Sequence, residues 1–166
     1  FIETILETFT LNDNIVLHMD QVRNSNRKFY PYNFPSFKEL TDENYSNFQN
    51  NSTIGLQDFE DPIHSLNYGA CMSAKRADMI EIGGADEHLD YLGHICGPYD
   101  MTFRLANLGL EEIWHGTEML FHTWHPGQAG GEGNYIAPHD GRHFSARALQ
   151  TLETGRILPA VENRAI

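Results

Sequence analysis

Turn-forming residues divide the stretch from Ser73 to Trp124 into two helices and two strands, and this spacing restricts the fold more than any other feature. Ser73 can cap a helix over Ala74 to Ile82, which Gly83-Gly84 then ends. Pro98 suits the first turn of a second helix, with Met101, Leu105 and Leu108 on one face and Gly109 as its stop. Leu110 to Trp114 and Glu118 to Trp124 read as two strands, and the small residues of Asn67 to Met72 suit a central strand ahead of them. Alternating helices and strands favour an α/β fold, a three-layer arrangement with a mixed central sheet.

The flanks are less regular. Ile2, Ile5, Leu6 and Phe9 recur at helical spacing, Asn12-Asp13-Asn14 breaks the pattern, and Ile15-Val16-Leu17 follows as a short buried strand. From Arg27 to Phe37 the chain carries five aromatic residues with Pro31 and Pro35, which predicts an aromatic loop. Ser36 and Glu39 have capping-box spacing for a brief helix, and residues 41–53 read as an Asn-rich surface loop. A glycine-rich loop at Gly127, Gly130, Gly131 and Gly133 leads to a last helix over Ser145 to Glu153, stopped near Gly155. The loop lacks the Lys-Ser/Thr of a phosphate-binding signature, so a lid over substrate is its functional reading. No repeat is visible, and the 166 residues fit one domain with three parts: loop 27–53, core 67–126 and C-terminal portion 127–166.

Acidic residues number 23 against 11 basic ones, a formal net charge of −12. Such a surface repels phosphate backbones, and no Lys/Arg cluster offsets it, which argues against nucleic acid as a partner. No apolar run approaches the ~20 residues that cross a bilayer. Cys71 and Cys96 are too few for a disulfide framework and predict a reduced, cytoplasmic protein. The first residue is Phe1, with no signal-like segment after it, so the expectation is a piece of a longer polypeptide.

Three constellations could carry chemistry. In Gly83-Gly84-Ala85-Asp86-Glu87 the glycines permit a sharp turn, and adjacent carboxylates can bind hydroxyls or take a proton; a solvated acidic turn is the plainer alternative. Asp100 and Arg104 lie one helical turn apart, as a structural salt bridge or with Asp100 facing a cleft. Of nine histidines, four fall between His122 and His143, and His122 or His125 can serve as a ligand for zinc or manganese. His139 and His143 beside Asp140 are a weaker candidate, because the spacing matches no closed zinc motif. Trp124 and Tyr135 offer faces on which a sugar ring can stack.

The order of these parts resembles the acceptor half of a GT-A type glycosyltransferase of the family 2 group. The likeness covers Asn67 to Pro126, with Gly83, Gly84, Asp86 and Glu87 matching the family's Gly-Gly-x-Asp-Glu turn, Asp100 and Arg104 its Asp-x-x-x-Arg helix, and His122 or His125 its late histidine. The resemblance implies transfer of a sugar from a nucleotide-sugar donor to a glycan or other acceptor. It also implies a divalent cation (Mn or Mg), Asp86, Glu87 and Asp100 as catalytic candidates, and Gly84, Arg104 and Trp124 as substrate contacts. The nucleotide-binding half would lie upstream of this chain.

Two departures stand out. Gly97-Pro98 occupies the place of the family's Glu-Asp, the position of the base in inverting members, and neither residue accepts a proton. No Asp-x-Asp metal motif is present, although Val16 to Asp20 ends in His-x-Asp. A catalytically silent carbohydrate-binding or interaction domain of the same fold is therefore the main alternative. A metal-dependent hydrolase built on His122, His125, His139, His143 and Asp140 is a more distant one.

Overall fold

The computed structural model describes residues 1–24, 26–30, 34–42, 44, 71–88, 96–123 and 146–162, apart from the side chains of Asp20, Gln21, Arg23, Cys96 and Ala146. Five α-helices and three strands are present among these residues: α1 (Ile2–Leu11), β1 (Ile15–Asn24), α2 (Phe37–Leu40), β2 (Cys71–Ser73), α3 (Arg76–Glu81), α4 (Cys96–Leu108), β3 (Glu111–Thr123) and α5 (Ala146–Thr154). The protein is α/β, with a mixed sheet in the order β2-β1-β3. β1 runs antiparallel to β2 and parallel to β3. No described helix is long and apolar enough to cross a membrane.

The central strand carries the core on both faces, because alternate residues of a strand point to opposite sides. Ile15, Leu17 and Met19 are buried against Ile5 and Phe9 of α1. Val16 packs with Ile82, Leu105 and Leu110 on the other face. Helices thus lie against both faces of the sheet. The predicted stripe of α1 is half right: Ile5 and Phe9 reach the core, whereas Ile2 and Leu6 remain exposed.

Boundaries departed from expectation where tertiary pairing overrode local signals. β1 extends to Asn24, well past the apolar Ile15-Val16-Leu17, because β3 supplies a parallel partner on both sides of Met19. Ser73 does not cap α3. It pairs with Leu17 in β2, and Lys75 holds the cap position without a side-chain hydrogen bond. The two predicted strands after α4 form one element, β3, with an irregularity between them. Opposite the step from His18 to Asp20, β3 runs from Trp114 to Met119 and so accommodates three extra residues. Nδ1 of His115 closes this local turn by accepting the backbone N–H groups of Thr117 and Glu118.

The predicted helix stops hold, and for a definite reason. The N–H of Gly84 donates to Met79 O and that of Gly83 to Ile80 O, while Gly83 adopts φ 85°. These are the paired bonds of a Schellman ending, which requires the left-handed region at Gly83. Gly109 closes α4 by the same pattern. The capping box also forms: Ser36 accepts the Glu39 N–H, and Glu39 accepts the Ser36 N–H. Those bonds, with Lys28 nearby, hold the Glu39 carboxyl below its ordinary range. In the aromatic segment Phe29 is buried, but Phe34 and Phe37 are largely exposed.

Candidate functional site

α4 positions the site, and its direction follows from two contacts with β1. Leu105 packs in one cluster with Val16, and Thr102 Oγ1 lies 3.4 Å from Nε2 of His18. Moving toward the start of the helix therefore moves toward the carboxyl end of the strand. In parallel α/β sheets that end is where ligand sites tend to collect. His18 itself is fully buried and stacks on Trp114 with ring centroids 4.6 Å apart. As part of the His-x-Asp sequence it is thus packed beneath α4, and the Asp20 side chain lies outside the described residues.

Two of the three constellations meet. Arg104 is fully buried, and its Nε donates to Asp100 Oδ2 at 2.8 Å. Its Nη1 donates to Ile82 O and its Nη2 to Gly84 O at 2.6 Å. Those carbonyls lie just beyond the last turn of α3, where helix carbonyls lack internal partners and a cation is favoured. One guanidinium thus ties the Gly83-Gly84 turn to the first half of α4. Asp100 is only 2% exposed, so its carboxylate faces Arg104 inside the fold rather than an open cleft.

Asp86 is held in a second ion pair. Its Oδ2 accepts from Arg147 Nε at 3.1 Å and Nη2 at 2.9 Å. Its Oδ1 accepts the backbone N–H groups of His88 at 2.9 Å and Val161 at 3.1 Å. The Asp86 side chain is 3% exposed and that of Arg147 22%. Glu87, next along the chain, is exposed, and its backbone N–H donates to Val161 O. Of the three carboxylates predicted to act, Glu87 alone is solvent-exposed.

His122 lies near the end of β3, half-buried and opposite Arg23 of β1. Trp124, His125, Gly127–Gly133, Tyr135, His139, Asp140 and His143 lie outside the described residues. Among the described residues no group of three or more His, Cys, Asp or Glu side chains could hold a metal ion, so no described donor set fits the implied cation. Cys71 is half-buried, and burial pushes its thiol up.

Sequence reasoning missed Arg147. Its partner is 61 positions away, and a lone arginine in a C-terminal helix carries no local signature. The one available hint was charge: a basic residue is scarce in a chain this acidic. The tail that reaches Asp86 through Val161 had no sequence signal at all. No family model matches the chain, and neither curated proteins nor solved structures give a match.

Proposed function

We propose that the chain contributes the acceptor side of a GT-A-like sugar transferase, in which a nucleotide-sugar donor gives its sugar to a hydroxyl of a glycan or other acceptor. The observation that supports this reading is the joining of the two resemblance motifs by Arg104, which bonds to Asp100 and to the carbonyls of Ile82 and Gly84. Residues 20 positions apart are thereby joined through the middle of α4.

Within this reading the carboxylates divide their work. Asp86 and Asp100 are positioning residues, each committed to an arginine. Glu87, exposed on the same turn, is the group able to take a proton. The acceptor oxygen would bond to the anomeric carbon, the nucleotide diphosphate would leave, and the hydroxyl proton would pass to Glu87. Glu87 would so replace the Glu-Asp whose place Gly97-Pro98 occupies.

A silent carbohydrate-binding domain of the same fold is the second reading, favoured by the burial of both aspartates in ion pairs. One experiment separates the two. The protein is incubated with a panel of nucleotide sugars and oligosaccharide acceptors, with and without Mn²⁺, and free nucleotide and extended glycan are measured. Acceptor-dependent release of nucleotide, reduced about a hundredfold or more in Glu87→Gln, is the expected outcome. Binding of oligosaccharide without any nucleotide release would replace the transferase with the silent domain.

A further inference from the structure

We infer that residues 156–162 form a detachable strap, latched by the Asp86–Arg147 pair, which lies along the Gly83–Glu87 turn, covers the Asp86 carboxylate and controls access to it. This inference stands on the geometry of the turn and does not depend on sugar transfer. After Gly155 ends α5, the chain continues without helix or strand through Val161 and lies against the turn. Hydrogen bonds to its backbone, three of them at Pro159 and Val161, help to hold it there. Val161 N–H donates to Asp86 Oδ1 at 3.1 Å, Glu87 N–H donates to Val161 O at 2.9 Å, and Arg147 Nη2 donates to Pro159 O at 2.9 Å.

Two of those three bonds end on the ion pair itself, so Arg147 and Asp86 organise each other and the strap together. Apolar burial is limited to Leu158, which is half-buried: Ile157, Pro159, Ala160 and Val161 are exposed. Ala160 lies beside Gly83, where a Cβ on the glycine would stand 3.3 Å from the alanine Cβ. A segment held by a few polar bonds near solvent, with small apolar burial, belongs to the low-stability end of a fold and opens without global unfolding. Opening it exposes the Asp86 carboxylate and the Glu87 N–H. A ligand that needs this edge binds only the open population, which lowers its apparent affinity by the open fraction.

Amide hydrogen exchange on the full chain, followed residue by residue by NMR, tests the strap directly. In the wild-type protein, the Glu87 and Val161 amides should exchange faster than those of Leu17 and Leu105, which mark the core. Arg147→Met should accelerate Glu87 and Val161 by about ten- to a hundredfold, the loss of a charge-assisted bond, and leave Leu17 and Leu105 unchanged. Val161→Pro removes the donor to Asp86 and leaves the Arg147 side chain intact, and it should accelerate the Glu87 amide likewise, residue 161 then having no amide to follow. Uniform exchange of all four amides in the wild type would overturn the proposal. So would unchanged Glu87 protection in both variants, or acceleration that spreads equally to Leu17 and Leu105.

Discussion

The turn at Gly83–Glu87 is held from two sides by two Asp–Arg pairs, and they could hardly be less alike. On the inner side Asp100 and Arg104 belong to one helix, four residues apart, with the arginine side chain fully buried and its partner 3% exposed. On the outer side Asp86 and Arg147 come from distant parts of the chain, and the arginine is 22% exposed. The same two residue types therefore do different jobs. The inner guanidinium satisfies carbonyls beyond α3 that would otherwise be buried without donors, so it is part of the core. The outer guanidinium stays in contact with water and organises a strap that contributes little burial.

This contrast has energetic consequences. A buried ion pair is weak evidence of net stabilisation, since desolvation offsets attraction, yet removing one partner strands the other charge. The outer pair is worth less, because its arginine is 22% exposed and its aspartate also holds two backbone N–H donors. Asp100→Ala leaves the Arg104 guanidinium buried without its carboxylate, and should cost about 3–5 kcal/mol. Urea denaturation followed by circular dichroism reads this directly. A loss below about 1 kcal/mol would show that the inner pair is dispensable and would erase the distinction.

Gly83 sits where the two regions touch, and sharpens the comparison. Gly83→Ala must place a Cβ at φ 85°, and the new methyl meets Ala160 of the strap. The backbone part should cost about 1–2 kcal/mol. Adding Ala160→Gly relieves the contact with the strap but not the backbone strain, so it should recover only the smaller share of the loss. Full recovery in the double variant would mean that strap packing, not the Schellman ending of α3, requires glycine there.

How much of this was legible in the sequence depends on the distance over which each feature is encoded. Helix endings were readable because their chemistry is local: Gly83, Gly109 and the Ser36–Glu39 box act within a few residues. The Asp100–Arg104 spacing announced a pair, although its complete burial and its reach to Ile82 and Gly84 did not follow from spacing. Strand limits were harder. β1 runs beyond its apolar run and β3 absorbs an irregular turn at His115, because the parallel register between them is set by packing across the sheet. Ser73 shows the same competition, with a cap residue recruited into β2 by Leu17. Arg147 and Val161 were invisible, since a contact to Asp86 over 61 and 75 positions leaves no pattern in either segment.

The two arginines have unequal roles, and one paired measurement tests that most directly. Arg104→Met and Arg147→Met are unfolded side by side in urea, with ΔG compared at a common slope. The expected result is a loss of about 3–5 kcal/mol for Arg104→Met, which strands Asp100 and two carbonyls. Arg147→Met should lose less, about 1.5–3 kcal/mol, because Asp86 keeps the backbone N–H groups of His88 and Val161. Equal losses, or a larger one at Arg147, would contradict the division between a structural inner pair and a latching outer one.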